Sequence, residues 1–178
     1  MFALALFAFT APVVAQSLPT VLTMPKDSSI GDASGANFKS LPASEGVTSG
    51  AVLLVTGENG VVYRIKVYET TSAQTLRDRF TKLMADASSL SQTGDTKVRT
   101  GTFTGRSIGD VSYVYTARGK DLPDRLDVIR GKFLIQGSLA RRRDALDLKF
   151  ERANSLYLEK LVRAALRSLD AAVAKVGH

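Results

Sequence analysis

What most narrows the fold lies between Val111 and Val176, where alternating apolar residues give way to helical spacing. Val111, Tyr113, Tyr115 and Ala117 alternate with Ser112, Val114, Thr116 and Arg118, which reads as a half-buried strand. Residues 119–124 form a turn cluster. Residues 125–129 and 132–140 then flank Arg130-Gly131, a two-residue connection whose glycine can take positive φ. From Ser155 the period changes. Leu158, Leu161, Val162, Ala165, Leu169, Ala172, Val173 and Val176 make one apolar stripe. The pattern predicts an antiparallel meander whose apolar face is covered by a long C-terminal helix over residues 155–176.

Upstream, residues 51–56 and 61–69 flank Glu58-Asn59-Gly60, and Asn-Gly between β-rich runs signals a hairpin. Val61, Tyr63, Ile65 and Val67 face one way. Val62, Arg64, Lys66 and Tyr68 face the other, so that side is cationic and amphipathic. Thr71 with Gln74 forms a capping-box pattern that predicts a helix starting there. Its buried stripe is expected from Leu76, Phe80, Leu83, Ala87 and Leu90. Residues 97–104 read as a short strand, weakened by Gly101, Gly105 and Gly109. The expected class is α+β: an antiparallel sheet of about five strands, one helix after the first hairpin, and the C-terminal helix on one face. One domain spans residues 51–178.

Two stretches precede it. Residues 1–15 carry no charge and are too short to span a bilayer, which takes roughly 20 residues. They read as a signal peptide cleaved after Ala15, with Val13-Val14-Ala15 as the small-residue site, although no positive n-region precedes them. The mature chain is then expected in a bacterial periplasm or secreted. Residues 16–50, rich in Ser, Gly and Pro, read as a flexible leader, within which 18–24 and 38–41 can dock as an edge strand or plug.

The chain has no Cys and its single His is His178, so thiol nucleophiles, His-based triads and multi-His metal sites are excluded. Asp144 and Asp147 lie three apart and could share a helical face as an acid/base pair or hard-cation ligands, but no further carboxylates cluster with them and the signal is weak. No catalytic residue, cofactor or metal is expected. A net charge of +7 and a pI near 9.8 favour anionic partners. Export argues against nucleic acid and leaves an anionic protein, a lipid headgroup or an envelope component. The densest basic cluster is Arg141, Arg142, Arg143, Lys149 and Arg152, the expected docking surface if it is more than a solvated loop neutralised by Asp144, Asp147 and Glu151. A second reading is a small carrier whose apolar ligand lies between sheet and C-terminal helix, walled by Tyr113, Tyr115, Phe133, Ile135 and Leu161.

The order of elements resembles the PsbP-like family across roughly residues 50–176. The resemblance rests on the hairpin at 52–67, the helix at 76–90, Val111-Ser-Tyr-Val-Tyr through Arg130-Gly131-Lys132-Phe133, and the closing helix at 158–176. It implies a small exported binding or assembly domain, with no catalytic residues to carry over. The last half is also similar to START-like folds, in which a curved sheet wraps a long C-terminal helix; that likeness underlies the carrier reading. Such folds normally place two adjacent helices after the first strand, where this sequence shows one.

Overall fold

Alternation in a strand sends side chains to opposite faces, so a sheet apolar on both sides needs two covers. The computed structural model describes residues 18, 22–44, 46–57, 60–90, 96–117, 123–141 and 148–176. Its strands are β1 (Lys39–Leu41), β2 (Val47–Thr56), β3 (Val62–Thr70), β4 (Thr96–Thr100), β5 (Val111–Ala117), β6 (Arg125–Arg130) and β7 (Phe133–Arg141). They form one antiparallel sheet of seven strands in the order β1-β2-β3-β7-β6-β5-β4. Helix α1 (Ala73–Leu90) lies on one face and α2 (Leu148–Val176) on the other. The α+β class is as expected, with seven strands in place of about five. The last tight turn is Gly131-Lys132, with Arg130 paired to Phe133 and Gly131 at φ 54°.

Beneath α2 the core is continuous. Leu53, Val55, Tyr63, Ile65, Val67, Val114, Leu126, Val128 and Ile135 pack with Leu158, Leu161, Val162, Ala165 and Leu169. Gly137 lets the helix come this close: a Cβ there would stand 2.4 Å from Val162 Cγ2 and 3.1 Å from Leu158 Cδ1. The helix begins at Leu148, seven residues before the expected Ser155. Ser155 is the first buried side chain described in α2, donating 2.7 Å to Pro123 O. Residues 151–154 before it, Glu-Arg-Ala-Asn, are exposed or half-buried, so no apolar stripe marks that turn.

The opposite face belongs to α1. Leu76 and Phe80 pack on Tyr113, Tyr115, Ile129 and Leu134, with Phe80 and Tyr113 stacked at 4.7 Å. The tyrosine side of β5 is therefore covered by α1, not by the C-terminal helix as the sequence suggested. Register fixes this, because Val114, opposite Leu126, takes the α2 side. The Thr71–Gln74 capping box does not form. Strand β3 runs on to Thr70, held by Thr70 N donating 3.0 Å to Lys132 O. Ser72 becomes the cap, its Oγ accepting from Thr75 N at 3.1 Å, while Gln74 Nε2 bonds Asp78 Oδ1 at 2.7 Å. Leu76 and Phe80 of the expected stripe are buried; the side chains of Leu83, Ala87 and Leu90 lie outside the described residues.

The flexible leader expected over residues 16–50 is corrected from residue 22 onward. Leu22, Met24, Ile30, Ala33 and Phe38 are buried in the same core as α2. Asp27 caps a 3-10 helix (Ser28–Ala33), accepting from Ser29 N at 2.8 Å. Arg167 pairs with Asp27 at 2.6 Å, Tyr157 OH donates 2.8 Å to Ile30 O, and Ser168 Oγ donates to Thr23 O. Contacts made by an irregular segment have no period to read in sequence, and β1 then adds the edge strand foreseen for 38–41. Residues 1–15, where the signal peptide is expected, lie outside the described residues. Met24 is 1% exposed, so Met24→Ala should cost about 2–5 kcal/mol in chemical denaturation. A change within about 0.5 kcal/mol would mean that this segment is not part of the core.

Candidate functional site

The face that carries α1 is covered only in part. Pairing register arranges its side chains in rows across the strands. One row runs Lys39, Val52, Lys66, Gln136, Asp127, Tyr113, and the next runs Leu54, Arg64, Ser138, Arg125, Tyr115, Val98. Helix α1 takes the tyrosine end of each row. At the other end Leu54 is 59% exposed, Arg64 and Lys39 are exposed, and Val52 and Lys66 are half-buried. Arg64 and Lys66 lie two residues apart on one strand face, about 7 Å, and repel each other within a Debye length of about 8 Å. Neither they nor Lys39 form an ion pair with a described residue, and Lys66 Nζ stands 5.9 Å from the Tyr68 ring centroid.

The middle of the rows is polar and internally satisfied. Asp127 is 0% exposed and accepts from Arg125 Nε at 2.9 Å, Arg125 Nη2 at 2.6 Å and Gln136 Nε2 at 3.0 Å. Burial works against the Arg125 charge, but hydrogen bonding and attraction from Asp127 outweigh it and hold the guanidinium protonated. Arg125 also stacks over the Tyr115 ring, 4.4 Å from its centroid. Because Asp127 and Arg125 cancel, the charge of the open end is that of Lys39, Arg64 and Lys66. Ser138 and Gln136 border it with hydrogen-bonding groups.

Three arginines on the other face, Arg130, Arg163 and Arg167, are engaged. Arg130 bonds Asp170 at 3.0 Å and Asp110 at 3.2 Å, and Arg167 pairs with Asp27. Arg163 bonds the buried Glu159 at 2.6 Å, and Glu159 in turn accepts from Thr104 N at 2.9 Å and Thr104 Oγ1 at 2.6 Å. That network ties the loop after β4 to α2. It is a structural clamp.

The expected site residues are placed as follows. Arg142 and Arg143 lie outside the described residues, as do the side chains of Arg141, which ends β7, and Lys149. Arg152 is exposed on α2. The five residues of the expected ligand wall do not meet: Tyr113 and Tyr115 pack under α1, whereas Phe133, Ile135 and Leu161 belong to the α2 side. Pairing register sets the two groups on opposite faces of the sheet, and residues on opposite faces cannot line one cavity. The sequence marks Arg64 and Lys66 as a cationic strand side; Lys39, Leu54, Gln136 and Ser138 join them only through register. Among the described residues no three His, Cys, Asp or Glu gather as a metal site, and no helix is long and apolar enough to cross a membrane. Comparison with family models, curated proteins and solved structures finds no significant match.

Among the described residues, one buried side-chain group lacks a hydrogen-bond partner. The Tyr115 hydroxyl makes no hydrogen bond, and burial, then the nearby Asp127 charge, pushes its pKa well above the ordinary tyrosine value. As pH rises past about 10, unfolded Tyr115 ionises while the folded form keeps its proton, so this residue's contribution to stability is lost. Tyr115→Phe should flatten that alkaline decline and raise stability at neutral pH by about 1 kcal/mol. Thermal unfolding across pH 7 to 11 checks both. A variant destabilised at pH 7 would show that the hydroxyl is satisfied.

Proposed function

We propose that this chain is an exported, non-enzymatic binding or assembly module that docks an anionic partner through the open cationic face of β1, β2 and β3. The carrying observation is the pairing of Arg64, Lys66 and Lys39 with exposed Leu54 on a sheet face whose one carboxylate among the described strand residues, Asp127, is already neutralised. Uncompensated cations on one rigid surface attract anions and steer their approach. Leu54 and Val52 between them add apolar contact once a partner excludes water. The partner's chemistry is that of an anionic protein, a lipid headgroup or an envelope component. Export rests on the apolar run at residues 1–15. The order of hairpin, helix, meander and closing helix supports the same reading through its resemblance to PsbP-like binding domains. The carrier reading loses its support, because its expected wall is divided between the two faces of the sheet.

Binding to poly-L-glutamate and to phosphatidylglycerol vesicles, at low and high salt, tests the proposal. The double variant Arg64→Gln/Lys66→Gln should weaken binding roughly two- to thirtyfold, since two surface charges, one exposed and one half-buried, contribute on the order of 0.2–1 kcal/mol each. Its stability should stay within about 0.5 kcal/mol of the parent. High salt should reduce parent binding to a similar degree. Unchanged binding by the double variant, with loss instead in Arg152→Gln, would move the docking surface to the start of α2 and overturn this reading.

A further inference from the structure

On the other side of the sheet, the kinked 3-10 helix, the end of β2 and the first turns of α2 enclose a cleft of about 470 Å³. Its volume lies within the range of small-molecule pockets, roughly 300–1,000 Å³. Its described lining carries hydroxyl, amide and carboxylate groups, and among the described residues no cation. We propose that this cleft is a binding site for a neutral polyhydroxylated ligand, a small saccharide or cyclitol.

The amide of Asn154 sets the polarity. Tyr63 OH donates 2.8 Å to Asn154 Oδ1, so the side-chain N–H2 group is the donor that remains, and no described residue accepts from it. Across the cleft, Asp32 is exposed and forms no ion pair with a described residue, which leaves its carboxylate as an acceptor. A donor amide and an acceptor carboxylate match neighbouring hydroxyls of a sugar, each of which both gives and takes a hydrogen bond. Hydroxyls of Ser28, Ser29 and Thr56 extend that set along the rim. The wall is pre-formed. Tyr63 and Tyr157 meet edge to face at 5.0 Å, and Tyr157 OH anchors the 3-10 helix through Ile30 O. A Cβ on Gly57 would stand 2.8 Å from the Tyr63 ring, and Gly31 takes φ 50° where the 3-10 helix kinks. With no Lys or Arg among the described lining residues, phosphate and carboxylate ligands find no counter-charge in them. Anion docking on the opposite face is therefore a separate activity.

Nuclear magnetic resonance titration of the full chain with glucose, N-acetylglucosamine, maltose and myo-inositol tests the inference. At least one should shift backbone amides confined to residues 28–32, 56–57 and 153–157, saturating by about 10 mM. Asp32→Asn keeps the fold, since the side chain pairs with nothing described, and should weaken that ligand about tenfold. Asn154→Ala should do the same, with its folding checked by the unchanged dispersion of core methyl signals. Absence of shifts with all four ligands, shifts elsewhere on the surface, or saturable binding indifferent to Asp32→Asn would each overturn it. Inorganic phosphate shifting these amides in place of the sugars would overturn the ligand class.

Discussion

Contact between α2 and the sheet depends on one missing side chain. At Gly137, at the centre of β7, even a methyl group would meet Val162 Cγ2 at 2.4 Å, well inside van der Waals contact. With hydrogen there, Leu158 and Val162 settle against Ile65 and Ile135 and the helix crosses the middle of the sheet. Fully burying a large aliphatic side chain contributes about 1.5–3 kcal/mol. The row of Leu158, Leu161, Val162 and Leu169 thus supplies much of the drive for this half of the fold. The seated helix also offers the surface on which the N-terminal segment is fastened, through Tyr157, Arg167 and Ser168.

That arrangement leaves the sheet covered unequally. The α2 side is covered by the helix together with Leu22, Met24, Ile30 and Phe38, while on the other side the described side chains of α1 pack on β5, β6 and Leu134 of β7. Between the covered and open parts lies the Arg125–Asp127–Gln136 cluster. A buried carboxylate bonded three times is tolerated where a lone one would not be, and it lets the sheet pass from apolar to solvated within two strands. Beyond it Arg64, Lys66 and Lys39 stand without counter-charge beside exposed Leu54, a combination that favours association over solvation alone.

Most of the framework was legible in the sequence. Asn59-Gly60 marked the hairpin, the alternation at Val111–Ala117 marked β5, and the stripe from Leu158 marked the body of α2. What sequence could not supply was pairing register. The tyrosine face of β5 looked like the natural bed for α2, yet the partners of Val114 decide which face that helix takes. Residues 22–44 read as a leader with only two short docking pieces because Leu22, Met24 and Ile30 reach the core from turns and a 3-10 helix, with no repeat at either 3.6 or 2 residues. In the candidate site Arg64 and Lys66 were visible as a cationic strand side. They were outranked by the denser run of Arg141, Arg142 and Arg143, since local density shows in sequence and a lack of counter-charge across strands does not.

Lysine acylation footprinting, with and without bound poly-L-glutamate, tests the open-face assignment most directly. Lys39 and Lys66 share a row on that face, whereas Lys160 is exposed on α2 on the other side of the sheet. Occupation of the open face should protect Lys39 and Lys66 and leave Lys160 as reactive as in the free protein. Protection of Lys160 with Lys39 and Lys66 unchanged would place the anion on the opposite face and contradict the assignment.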